Sequence, residues 1–254
     1  MNSTYDLGVV PQLIVNLDAI AMVRESGRTN EPDPVQAAAI VEAAGAAGVA
    51  VHLREDRRFV QDRDVRLLKE TVKSSFSLAI APTEGLLAIA DAVKPDQVTL
   101  VPTVETEGID QDMTARGADL RSAIERLQRS GVRTGLLVQP DLELVKEAAS
   151  LGAQSISLYV GTYSRATGAQ EVEQDIDALR NAADYARKLG LRVRTVGGSN
   201  VRNCEPLFEL ESIHEYEVGH GLMARAMLIG LGEAVRELLG LMRAARSLIP
   251  QYRA

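Results

Sequence analysis

Short apolar runs alternate eight times with amphipathic stretches of helical period along this chain, and that alternation constrains its fold more than any other feature. Gln12–Asn16 reads as the first strand. Pro34–Ala47 reads as a helix, with Asp33 as N-cap, Pro34 at the first helical position and Gly48 past the end. Val49–Leu53 is the second strand, and Asp62–Lys73 a helix that sets Val65, Leu68 and Val72 on one face. Strands then fall at Phe76–Ala81, Val98–Val101, Thr134–Val138 and Ser155–Val160, with helices at Thr83–Val93, Asp119–Ser130, Leu142–Leu151 and Glu171–Leu189. The last strands are Arg192–Val196 and Glu215–Gly219, each followed by a helix, the final one long, from Leu222 to Ala244. Strands alternating with helices imply right-handed crossovers and a parallel sheet. Eight units in 254 residues match a closed (β/α)8 TIM barrel, an α/β fold, with the whole chain as one domain. An open doubly wound sheet would carry a glycine-rich fingerprint after its first strand. Here Asp18 is followed by Ala19-Ile20-Ala21-Met22-Val23-Arg24, which holds no glycine.

In such a barrel the carboxyl ends of the strands open on one face, so polar groups distant in sequence converge there. Three pieces end strands in this way: Asn16-Leu17-Asp18, His52 to Arg58, and Gly219-His220. The same face receives Thr103 to Gly108 after strand 4, Gly161-Thr162-Tyr163 after strand 6, and Gly197-Gly198-Ser199-Asn200 after strand 7. Glycines after strands 7 and 8 let backbone N–H groups approach an anion, and a following helix N-terminus adds partial positive charge. This pair of loops is the usual phosphate cradle of barrels.

Other classes of function are set aside by composition. The net charge of −7 and the few aromatic residues argue against nucleic acid, and the apolar runs are too short for the roughly 18 residues that cross a bilayer. A single cysteine, Cys204, reads as a bystander near a helix start, fits a reducing cytosol, and with an N-terminus lacking an export signal points to a cytoplasmic protein. Basic residues gather at Arg54, Arg57, Arg58, Arg63 and Arg66, a local cationic spot suited to a small anion. Of three histidines, His214 and His220 lie six residues apart, about 20 Å along an extended strand, which puts His214 at the far end of the barrel. A three-histidine metal site is thereby excluded; a two-histidine site of His52 and His220 with Asp18 stays open but has no recognised metal spacing, and the expectation is neither metal nor cofactor. His52, with an ordinary pKa near 6.5, is the candidate general acid/base.

Several segments together resemble the pyridoxine 5′-phosphate synthase family. They are Pro32-Asp33-Pro34-Val35-Gln36-Ala37-Ala38, Val51 to Arg58 with Asp62-Arg63-Asp64-Val65-Arg66, Leu87-Ala88-Ile89-Ala90, Leu100-Val101-Pro102, and Ile213-His214-Glu215 with Gly219-His220. The resemblance implies condensation of 1-deoxy-D-xylulose 5-phosphate with 3-amino-2-oxopropyl phosphate in a homo-oligomer, an octamer. It also implies a catalytic role for His52. Asn16, Gly198, Gly219 and His220 would hold the amine phosphate, with Arg28 one residue from the expected arginine, while Asp18 and Arg54 orient the sugar phosphate. Where the family has a second acid/base glutamate and a second histidine, this chain has Ala79 and Gly197; two further family histidines are replaced by Ala19 and Phe59. Neither Ala nor Gly transfers a proton, so the expectation is a condensing, transferase-type enzyme acting on a phosphorylated amino-ketone, with the family reaction impaired. The alternatives are an inactive paralogue that binds a phosphorylated metabolite, and an authentic family enzyme in which Glu84, Glu105 or water carries the missing protons.

Overall fold

The computed structural model describes residues 11–102 and 117–247. The expected loop from Thr103 to Gly108, with Glu105, lies outside the described residues. Eight parallel strands follow one another around a closed barrel: β1 (Gln12–Asn16), β2 (Gly48–His52), β3 (Ser75–Ile80), β4 (Gln97–Leu100), β5 (Arg133–Val138), β6 (Ser155–Tyr159), β7 (Arg192–Val196) and β8 (Glu215–Val218). β8 closes the ring on β1, with Val15 opposite Val218. The TIM barrel expected from the alternation is therefore present, and every strand lies within one residue of its expected bounds at each end.

The helices are α1 (Asp18–Gly27), α2 (Pro34–Ala43), α3 (Asp62–Thr71), α4 (Glu84–Val93), α5 (Gly117–Arg129), α6 (Leu142–Ser150), α7 (Gly161–Arg165), α8 (Ala169–Lys188), α9 (Glu205–Phe208), α10 (His220–Ile229) and α11 (Leu231–Ser247). Asp33 caps α2 as expected, its carboxylate accepting from the Val35 N–H at 2.9 Å. Two expectations need correction. The helix from Pro34 ends at Ala43 rather than Ala47, and the chain turns through Gly45 at φ 101°. Gly48 is thus no helix terminator: it opens β2, where an added Cβ would lie 2.5 Å from the Ser75 carbonyl oxygen. The single long C-terminal helix is two, divided at Gly230, whose φ of 89° a helix interior does not tolerate.

Alternation along the strands sorts side chains to two faces. Leu13, Val15, Val49, Val51, Leu78, Ile80, Leu136 and Val193 face the helices and join one continuous apolar core with Val41, Leu68, Leu127, Leu179 and Leu238. Each such side chain contributes about 1.5–3 kcal/mol on full burial. The barrel interior is different in kind. Ser77, Thr99, Ser157, Arg194 and Glu215 are buried there, and polar groups continue toward the carboxyl-end mouth. Among the described residues no helix is long and apolar enough to cross a membrane.

Candidate active site at the barrel mouth

A cavity of about 290 Å³ opens at the carboxyl ends of the strands. Its titratable walls are Asp18 after β1, His52 at the end of β2, Tyr159 at the end of β6, Arg194 in β7 and Glu217 in β8. Beneath them runs a hydrogen-bonded floor. Arg194, 2 % exposed, donates through Nε to Glu215 Oε2 at 2.7 Å, through Nη1 to Glu217 Oε2 at 3.2 Å and through Nη2 to Ser77 Oγ at 2.9 Å. Nη2 also reaches Glu215, and Arg192 donates to the other Glu215 oxygen at 3.0 Å. Asn16 Nδ2 donates to Glu217 Oε1 at 3.0 Å, so both oxygens of Glu217 are held. Asn16 Oδ1 in turn accepts from the Asp18 N–H at 2.9 Å.

Asp18 Oδ1 accepts the backbone N–H of His52 at 2.8 Å, which ties the entry of α1 to the end of β2. Burial pushes the Asp18 carboxyl up to about 7, against the opposing effect of that hydrogen bond, and the Glu217 charge adds to the rise. Burial pulls the His52 imidazole down to about 4, aided by the Arg54 charge. The expectation was a histidine titrating near its ordinary 6.5; burial places His52 below that, so at pH 7 it carries no charge.

The other expected residues spread around the mouth. Arg28 ends α1, exposed, with left-handed backbone (φ 51°), and does not line the cavity. Arg54 is engaged in a two-pronged pair with Asp56, at 3.0 and 2.9 Å. Arg57 pairs with Asp62, Arg63 with Asp33, and Arg58 lies 5.3 Å over the Phe59 ring, so most of the expected cationic spot is answered within its own neighbourhood. Arg24 in α1 grips the fully buried Asp64 of α3 at 2.8 and 2.7 Å and also donates to the Phe59 carbonyl, fixing the segment after β2. Gly219 packs on Asn16, since a Cβ there would lie 3.2 Å from the Asn16 Cβ. Gly198 is exposed, and a Cβ on it would strike Ser164 of α7. The loops after β7 and β8 touch: a Cβ on Gly221 would meet Ser199 O and Asn200 Cβ at 2.5 Å. Ser199 Oγ is buried there with no hydrogen-bond partner among the described residues.

His220 starts α10 on the same end of the barrel as His52. It lines a different, apolar cavity of about 340 Å³ with Ile20, Met22, Met223 and Met227. His214 directly precedes β8, at the opposite end, where its Nδ1 accepts from the Val193 N–H at 3.2 Å. Cys204, N-cap of α9, is fully buried with its thiol pushed up to about 11, which suits a bystander. Glu84 is exposed on α4 and paired with Arg126 at 2.7 Å, and it is not a cavity residue. Among the described residues no group of three or more His, Cys, Asp or Glu is arranged to hold a metal.

Two groups that matter to the floor, Arg194 and Glu217, were not singled out from the sequence. The signal was available in Arg192-Val193-Arg194 and Glu215-Tyr216-Glu217, where charges alternate with apolar residues inside strands and must share one face. Tyr159 was likewise missed. Its ring lies where a side chain at position 197 would go, since a Cβ on Gly197 would come within 2.6 Å of Tyr159 Cε2.

A closed parallel barrel with a polar cavity at its carboxyl-end mouth defines the (β/α)8 class. Solved structures share that fold at low identity. The tryptophan synthase alpha-subunit from Pyrococcus furiosus aligns with a TM-score of 0.63 at 16 % identity, covering 91 % of this chain and 99 % of that one. KGPDC from Streptococcus mutans aligns with a TM-score of 0.63 at 14 % identity, covering 93 % and 99 %. Sequence comparison is more specific. The family model of the pyridoxal phosphate biosynthesis protein PdxJ matches residues 13–244. Pyridoxine 5′-phosphate synthase of a Synechococcus species is 44 % identical over 228 residues, 88 % of this chain and 95 % of the relative. That of Syntrophotalea carbinolica is 41 % identical over 235 residues, covering 91 % and 98 %. The chain belongs to the pyridoxine 5′-phosphate synthase family.

Proposed function

We propose that the chain is an enzyme of this family that binds a small phosphorylated amino-ketone and carries out condensation chemistry through His52, with formation of pyridoxine 5′-phosphate itself impaired. The observation that carries the reading is the lining of the cavity that His52 shares with Ala79, Tyr159 and Gly197. Ala79 stands opposite it in the β2–β3 register, and the space beside Gly197 is filled by the Tyr159 ring. Those are the two positions at which the resemblance implies a glutamate and a second histidine. Removing one general acid/base typically costs about 10²–10⁴ in rate. The amine-phosphate end is assigned to the contacting loops after β7 and β8, with Gly198, Gly219, His220 and the unpartnered Ser199 hydroxyl; support comes from family membership and from the N-terminus of α10 that starts there. Asn16, Arg28 and Arg54 are assigned to substrate binding on the same grounds, and a cytoplasmic homo-oligomer is the expected state of such an enzyme.

The test is a steady-state assay of the purified protein with 1-deoxy-D-xylulose 5-phosphate and 3-amino-2-oxopropyl phosphate, following phosphate release. The expected rate is at least ~100-fold below an ordinary turnover of about 1 s⁻¹, and His52→Asn removes what remains. Turnover near 1 s⁻¹ in the unmodified protein would overturn the impairment.

A further inference from the structure

We infer that Asp18 is a second proton carrier of the cavity, a base that removes a proton from the carbon next to the carbonyl of a bound phosphorylated ketone. The inference rests on the proposed ligand class but extends it, since the family resemblance implies that Asp18 orients the sugar phosphate and gives it no part in proton transfer from the amine phosphate. Five titratable side chains line the cavity, and their partners separate them. Arg194 is held by Glu215, Glu217 and Ser77. Glu217 is held on one oxygen by Asn16 and on the other by Arg194. The Tyr159 hydroxyl accepts from Arg165 at 3.2 Å. His52 and Asp18 are left to face a ligand. Asp18 Oδ1 accepts the His52 backbone N–H, which fixes the plane of the carboxyl, and the Asn16 side chain is its other hydrogen-bonding neighbour; no cation pairs with it among the described residues, and it lines the cavity.

The groups facing Asp18 are Asn16 at the end of β1, His52 on β2 and Glu217 on β8, with Arg194 of β7 behind Glu217. The nearest charge is therefore negative, and together with burial it makes the carboxylate a stronger base than an exposed aspartate, with a pKa of about 7 suited to proton transfer at neutral pH. In the step, the C–H bond breaks, its electron pair moves into the enolate, and the proton passes to the Asp18 carboxylate. Reversal returns a solvent-exchanged proton to the same carbon, so no other reactant is consumed. Neutral His52, at the end of the adjacent strand, is available to accept a hydrogen bond or a second proton from the ligand.

The step can be read without complete condensation. The intact protein is incubated with 3-amino-2-oxopropyl phosphate alone in D₂O, and loss of the proton signal beside the carbonyl is followed by NMR. Exchange is expected well above the protein-free rate and is expected to fall at least ~100-fold in Asp18→Asn, with partial recovery in Asp18→Glu. Binding of the same compound by calorimetry is expected to change less than about threefold, which separates a proton carrier from a mere binding contact. Exchange in this assay, with no phosphate release when both substrates are supplied, would sink the condensation reading and leave Asp18 as the carrier. Undiminished exchange in Asp18→Asn, or ligand binding without exchange in the unmodified protein, would overturn the assignment of Asp18 itself.

Discussion

Replacing Arg194 by Met tests whether the barrel floor is held by charge. The Met side chain preserves much of the arginine's volume, so the main loss is electrostatic. The Glu215 carboxylate is buried and now answered only by Arg192 at 3.0 Å; Glu217 retains Asn16, and Ser77 loses a donor. Removing one partner of a buried pair costs about 3–5 kcal/mol, and the remaining Arg192 places the expected loss near the lower end, about 3 kcal/mol. For a chain of this size that is a fall of roughly 6–12 °C in Tm. The pH dependence has a definite sign. In the native protein burial raises the Glu215 pKa, but Arg194 and Arg192 outweigh it and hold the group below its ordinary 4.5. Such a group contributes stability above its unfolded pKa and loses it as pH falls through the folded one. Without Arg194 the burial effect is left less opposed, Glu215 takes up a proton more readily, and the penalty shrinks in acid. Calorimetric melting of both proteins at pH 8 and pH 5 should show the larger deficit at pH 8, and adding Glu215→Gln to the variant should recover part of it. An equal deficit at both pH values, or none, would refute the view that the ion pairs rather than side-chain volume hold the floor.

Asp18→Asn should raise Tm at pH 8 and leave it nearly unchanged at pH 4. The native carboxyl titrates at about 7 against an ordinary 3.8, so the folded state binds the extra proton and its stability declines as pH climbs through that window; thermal melts at the two pH values read this directly. Gly197→His should destabilise the chain by more than about 1 kcal/mol, because φ is 92° and the Tyr159 ring lies 2.6 Å from the new Cβ. Adding Ala79→Glu to it should not restore pyridoxine 5′-phosphate formation in the two-substrate assay. Asp64→Ala should cost about 3 kcal/mol in urea unfolding, the low end for breaking a buried pair, because Arg24 is left with the carboxylate of Glu25 alone among the described residues.

The strands were legible to within a residue because their apolar faces sit at period two against the helices, and each loop begins where that pattern stops. Helix ends were less legible. In Ala43-Ala44-Gly45-Ala46-Ala47 every residue except glycine favours a helix, and only the left-handed turn at Gly45 shows where it stops. The run Leu228-Ile229-Gly230-Leu231-Gly232 likewise keeps an apolar pattern across a break. α1 starts at Asp18 behind Leu17, which makes no side-chain cap hydrogen bond, so its start carries none of the usual capping marks. For the site, Asn16, Asp18 and His52 could be brought together from strand ends alone. His220 could not be separated from them, because sequence gives the end of the barrel and not the side of the wall. Arg194, Glu217 and Tyr159 needed the direction of each side chain within its strand.

In a ring of eight, β3 and β7 stand on opposite walls, and the Arg194–Ser77 contact runs straight across the bore. It acts as a tie-rod. With the same guanidinium clamped to β8, the cross-section resists being squeezed into an oval, and adjusting the bore to a bulkier guest would mean breaking a desolvated charge contact. Change of shape is therefore confined to the rim, where strands give way to loops. Variation in what the molecule accepts should accumulate in those rim segments, while the bore acts as a rigid gauge of fixed diameter.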